Sequence, residues 1–150
     1  MADTPILICY DGSTGSVHAI EVAATLFGGR RAVVIDVAPT LTAGESLAMV
    51  GGGLPGNVFD GLNLASATER AEQGAKIARS SGFIAEPRGT VSAPTWEGIA
   101  NVADELDAAV IVVGSRGLTG VRELVEGSLS HQLAEHAGRP VLIVPPHDER

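Results

Sequence analysis

The run Ala109-Val110-Ile111-Val112-Val113-Gly114 constrains this chain more than any other stretch of it. Its apolar residues follow one another without polar alternation, and most are β-branched. A strand of that kind is buried on both faces and belongs inside a parallel sheet covered by helices. Composition fits such a core. Hydrophobic residues make up 45% of the 150 residues but aromatics only 3%, so Val, Ile, Leu and Ala must fill the interior.

The rest of the chain repeats the theme. Ile6 to Tyr10 reads as a buried strand ended by the turn Asp11-Gly12-Ser13. Val17, Ile20, Ala24 and Phe27 recur at helical spacing, and Gly28-Gly29 stops that helix. Ala32 to Val37 is a second strand, which makes a strand–helix–strand crossover. Thr40 to Asn63 is irregular, with Gly51-Gly52-Gly53 and Pro55-Gly56 forbidding one continuous helix. Leu64, Ala67, Ala71, Ala75, Ile77 and Ala78 restore the helical period up to Gly82. Phe83 to Val91 is a weaker strand. Thr95 is the expected N-cap of a helix with Ile99, Val102, Ala103 and Leu106 on its apolar face. Val121 to Glu126 has room for a helical turn, Ser128 to Ala137 reads as a helix stopped by Gly138, and Pro140 to Pro145 frames a last strand. This alternation predicts a single α/β domain over residues 1–150. It is a three-layer sandwich on a five-stranded, mostly parallel sheet of order 3-2-1-4-5.

Charge narrows the partners. The formal net charge is −8 and Lys76 is the only lysine. That surface repels nucleic acid and anionic membrane, and no basic cluster offsets it. An anionic ligand must therefore be held by backbone N–H groups, an arginine or a metal ion. Cys9 is the only cysteine, so no intrachain disulfide forms. Nothing at the N-terminus has the basic start and apolar region of a signal peptide, and no stretch reaches the roughly 20 apolar residues of a membrane helix. A soluble cytoplasmic protein is expected.

In open parallel sheets ligands bind beyond the carboxyl ends of the strands, where the strand order reverses. With order 3-2-1-4-5 that crevice lies between the first and fourth strands. Asp11 follows the first, and Gly114-Ser115-Arg116-Gly117 follows the fourth. Gly114-x2-Gly117 permits a tight turn with exposed N–H groups. Gly127-Ser128 then opens a helix whose first N–H groups are unpaired and carry the positive end of its dipole. Each piece alone is an ordinary turn or cap; their order makes an anion site without lysine.

Three stretches together resemble the universal stress protein family, ATP-binding subgroup, over the whole chain. They are Gly114-x2-Gly117-x9-Gly127-Ser128, Tyr10-Asp11-Gly12-Ser13, and Gly138-Arg139-Pro140-Val141-Leu142-Ile143-Val144. The resemblance implies the adenine nucleotide alpha hydrolase-like form of this sandwich. It implies ATP, with Gly114, Gly117, Gly127, Ser128 and Leu129 on the phosphates and Ser115, Arg116 and Ser130 in the same turns. Asp11 would accept from the ribose hydroxyls, the Val37 main chain would meet adenine, and Cys9 would line the pocket. Mg²⁺ or Mn²⁺ would be held through the phosphates, with no metal ligand from the protein. It also implies a homodimer paired through the last strand. The residues favour the same assembly, since Val141 to Val144 is a short apolar edge strand that self-pairing would cover.

Other chemistries lack their residues. No Gly-x4-Gly-Lys-Ser/Thr run exists, nor Gly-x-Gly-x-x-Gly after the first strand. A receiver domain would need a lysine on its last strand. His18, His131, His136 and His147 are scattered, and no cluster has metal-ligand spacing. No catalytic residue is assigned. The expectation is an ATP-binding regulatory or stress-response protein with little or no hydrolysis. The alternative is a nucleotide-free homodimeric interaction protein of the same fold.

Overall fold

In the computed structural model, which describes residues 4–39, 56–115 and 128–147, strands and helices alternate along the chain. They are β1 (Ile6–Cys9), α1 (Thr14–Phe27), β2 (Arg31–Ala38), α2 (Gly56–Ser80), β3 (Ile84–Val91), α3 (Thr95–Leu106), β4 (Val110–Gly114), α4 (Leu129–His136) and β5 (Val141–Val144). The sheet order is β3-β2-β1-β4-β5, with all four neighbouring pairs parallel. The expected order 3-2-1-4-5 is the observed one.

Side-chain alternation along the strands divides the core in two. Ile6, Ile8, Ala32 and Val34 pack beneath Ala19, Ile20 and Ala23 of α1 and Ala75 and Ala78 of α2. Leu7, Cys9, Val33 and Ile35 pack beneath Ile99, Val102 and Ala103 of α3 and Leu133 of α4. Each large aliphatic side chain removed from water contributes roughly 1.5–3 kcal/mol. β1 and β4 are buried over nearly their whole length, as their unbroken apolar runs predict.

Helix α2 meets the sheet through small residues, with Ala67, Ala71, Ala75 and Ala78 fully buried. A Cβ on Gly74 would stand 2.7 Å from Tyr10 and Val34 side-chain atoms, so glycine sets how near this helix lies. The helix begins at Gly56, ahead of the period that starts at Leu64. Two glycines and two asparagines in Gly56 to Asn63 hide that first part, since both are weak helix formers. At α3 the cap is Pro94 rather than Thr95, which is the first helical residue. The proline ring favours the extended cap conformation, and Pro94 offers no side-chain acceptor. The expected turn at Val121 to Glu126 lies outside the described residues.

The two sheet edges differ. On β3, Ile84 N–H donates to Arg30 and Ser92 N–H to Ala38, so the even-numbered residues between them address β2. Ala85, Pro87 and Gly89 therefore point outward. Pro87 has no N–H to offer, and Arg79 Nε donates to the Ala85 carbonyl at 2.9 Å. That edge is blunted. On β5, Pro140 and Val144 accept from β4, so Val141 and Ile143 turn their main chain outward, and Ile143 is 40% exposed.

Candidate functional site

Three chain segments reach the carboxyl end of the sheet around β1. The first is the exit of β1 itself. Tyr10 N–H makes the last ladder bond, to Ile35 O at 2.9 Å, and the chain then leaves the sheet. Asp11 Oδ1 accepts from Ser13 N–H at 2.9 Å, closing a local turn. Gly12, at φ +84°, supplies the left-handed backbone that this turn requires. Ser13 caps α1: its Oγ accepts from Ser16 N–H at 3.1 Å, and Ser16 Oγ donates back to Ser13 O at 2.8 Å.

The second segment is the end of β2. Ile35 addresses β1 through Tyr10, and Ala38 O accepts from Ser92 N–H on the β3 side at 3.0 Å. Successive peptide groups of a strand point to opposite neighbours. Val37 therefore turns its N–H and C=O toward β1, as Ile35 does. In the β1–β2 register the position opposite Val37 is Asp11, past the end of β1. A main-chain donor and acceptor consequently face the crevice. The Val37 side chain packs the other way, against the α3 layer, where a Cβ on Gly98 would come within 3.6 Å of it.

The third segment is the start of α4. Ser128 takes the extended cap conformation, and its Oγ accepts from His131 N–H at 3.2 Å. Gln132 N–H donates to Ser128 O, the first bond of the helix. The N–H groups of Leu129 and Ser130 precede it. The first turn of α4 holds no acidic residue, so its positive dipole end is not neutralised there.

These placements bring Cys9, Asp11, Val37, Gly114 and Ser115 to neighbouring strand ends, with Ser128, Leu129 and Ser130 on the helix that links β4 to β5. Gly114 closes β4 opposite Val144, and Ser115 N–H donates to Val144 O at 2.9 Å. Arg116, Gly117 and Gly127 lie outside the described residues. Cys9 is 7% exposed, and burial, aided by the Asp11 charge, pushes its thiol up to about 12. It stays a protonated, apolar core side chain at neutral pH. Two ring contacts are formed: His18 lies edge-on to His147, and Trp96 packs beside His136.

One pair escaped the sequence. Asp36, on β2 next to Val37, is buried, and Arg70 Nε of α2 donates to its Oδ2 at 2.5 Å. Burial raises the Asp36 carboxyl above its ordinary value; Arg70 opposes that rise. A charge inside an apolar strand requires a partner, which was the available signal. No spacing identified Arg70, 34 positions away.

Residues 4–145 match the model of the Universal stress protein family. The chain is 31% identical over 148 residues to universal stress protein YxiE of Bacillus subtilis (strain 168), covering 93% of this chain and 97% of that protein. Among solved structures, the protein MJ0577 superposes with a TM-score of 0.76 at 20% identity, over 99% of this chain and 100% of its own. The universal stress protein from Archaeoglobus fulgidus, solved in complex with dAMP, superposes with a TM-score of 0.61 at 21% identity, over 96% and 99%. These structural likenesses establish the fold.

Proposed function

The chain belongs to the universal stress protein family, and we propose that it is an ATP-binding regulatory member with little or no hydrolysis of its own. The observation that carries this reading is a juxtaposition. The main-chain edge at Val37, the Asp11 carboxylate and the capped start of α4 all stand at one end of one sheet. They suit the three parts of a nucleotide in turn. A backbone donor and acceptor can pair with the edge of adenine. A carboxylate accepts from ribose hydroxyls. N–H groups at a helix start hold phosphate oxygens without lysine. Gly114, Ser115, Arg116, Gly117 and Gly127 would complete the phosphate turn, and Cys9 would wall the pocket. The dAMP complex of the Archaeoglobus fulgidus protein supports an adenine nucleotide as the ligand class.

Among the described residues no three His, Cys, Asp or Glu side chains gather to hold a metal. Mg²⁺ or Mn²⁺ would enter on the phosphates, whose charge it would neutralise. Asp11 is engaged with Ser13 at the ribose end, so it is not offered as a base for attacking water. The outward main chain of β5 supports self-pairing as a C2 dimer. Among the described residues no helix is long and apolar enough to cross a membrane, and a cytoplasmic place is proposed with the function.

The test is to extract the purified protein and separate its nucleotides by chromatography. Bound ATP is expected, with turnover far below the typical enzyme rate of roughly 10 per second. Protein that carries no nucleotide and takes up none would return the account to a nucleotide-free dimer.

A further inference from the structure

Asn63 lies on α2 where that helix passes the carboxyl end of β2. Two bonds fix the crossing. Arg70 of α2 donates to Asp36 of β2, and Asn63 Nδ2 donates to the Pro39 carbonyl at 3.3 Å. Asn63 precedes Arg70 by two helical turns, about 10 Å along the axis, and Pro39 follows Asp36 by a similar rise of strand. Helix and strand therefore run antiparallel, and α2 carries Asn63 to the end of the sheet where the crevice opens. Gly89 of β3 keeps that part of the helix close, since a Cβ there would stand 2.5 Å from the Thr68 main-chain nitrogen.

Chemistry orients the amide. A carbonyl oxygen only accepts, so the NH2 of Asn63 must face Pro39 and its Oδ1 must face away. Among the described residues no group donates to that Oδ1. Two residues before Pro39, the Val37 carbonyl turns toward β1, past the end of that strand. The exit of β2 thus offers two oxygen acceptors, one from the main chain and one from Asn63.

We propose that Asn63 is a specificity-determining residue for the base, its Oδ1 accepting one N–H of the adenine 6-amino group while the Val37 carbonyl accepts the other. This rests on the adenine-nucleotide reading given above. Guanine carries a carbonyl oxygen at that position, so acceptor would meet acceptor. A purine with only hydrogen there offers neither oxygen a partner. The phosphate end, built on the start of α4, takes no part.

The experiment compares the parent with Asn63→Ala. Alanine is the better helix former, so α2 is not weakened by propensity. Each protein is melted, and each is titrated calorimetrically with ATP, GTP and purine riboside triphosphate, which lacks the 6-amino group. The parent should bind purine riboside triphosphate at least about tenfold more weakly than ATP, for the loss of two hydrogen bonds. Asn63→Ala should bind ATP about fivefold more weakly than the parent, the worth of one such bond. Its affinity for purine riboside triphosphate should stay within about twofold of the parent's, because that ligand has no bond to Asn63 to lose. The ATP-to-GTP preference should fall with the ATP affinity.

Equal losses for ATP and purine riboside triphosphate would mean that Asn63 merely ties α2 to β2, and would overturn the proposal. So would a parent that binds those two alike, or an Asn63→Ala protein that binds ATP as the parent does. A parent that binds none of the three nucleotides would instead remove the nucleotide reading, and this proposal with it.

Discussion

Helices α1 and α4 both begin at the carboxyl end of the sheet, and both are capped by a serine that accepts from the N–H three residues on. Their surroundings differ. The start of α1 follows Asp11, whose carboxylate already accepts from Ser13 N–H. Negative charge is in place there, so that start suits hydroxyl donors and repels phosphate. The start of α4 has a neutral cap and no acid in its first turn. Among the described residues no acid stands at that start, and its positive end suits an anion. On the proposed reading, two helix starts of one design become a sugar end and a phosphate end.

The harshest way to break this contrast is to put a carboxylate at the second start. Ser128→Asp keeps a competent cap, since Asp and Ser serve equally well. Like charges about 4 Å apart at an effective dielectric near 20 cost about 4 kcal/mol, which caps the loss at roughly a thousandfold. A fall of about a hundredfold in ATP affinity is expected, with circular dichroism retained and adenosine affinity unchanged. Calorimetry with both ligands checks it.

Removing the carboxylate from the first start is next. Asp11→Ala should weaken ATP and adenosine alike by roughly 10- to 100-fold, the usual cost of lost bonds to a charged acceptor. Asp11→Asn retains an oxygen for Ser13 N–H and should lose less. A loss confined to ATP would place Asp11 on the phosphates and dissolve the division between the two ends.

The smallest effects separate capping from binding. Ser13→Ala should cost about 1 kcal/mol of stability, or a melting shift of about 2–4 °C, with ATP affinity unchanged. Ser128→Ala should cost similar stability and also weaken ATP several-fold. Equal ATP losses in both would indicate that each serine acts only through the fold.

Much of this arrangement was legible before any coordinates. The unbroken run Val110 to Val113 marked an interior strand because burial on both faces leaves no polar alternation. Asp11-Gly12-Ser13 and Ser128 were legible because turns and caps demand particular residue types. The beginning of α2 was hidden, since Gly56, Asn57, Gly61 and Asn63 show no helical preference. Asp36 was visible as a charge in an apolar strand, but Arg70 was not. A pair that meets only through the crossing of α2 over β2 leaves no spacing to read. The role proposed for Val37 is topological: its main chain faces the crevice because β1 stops short, which no feature of Val37 itself reveals.

Calorimetric titration of the purified, nucleotide-stripped protein with ATP and with GTP tests the central claim most directly. The account predicts one saturable ATP site per chain and at least about tenfold weaker GTP, the worth of one well-placed base contact. Equal affinity for the two, or no binding of either, would contradict it.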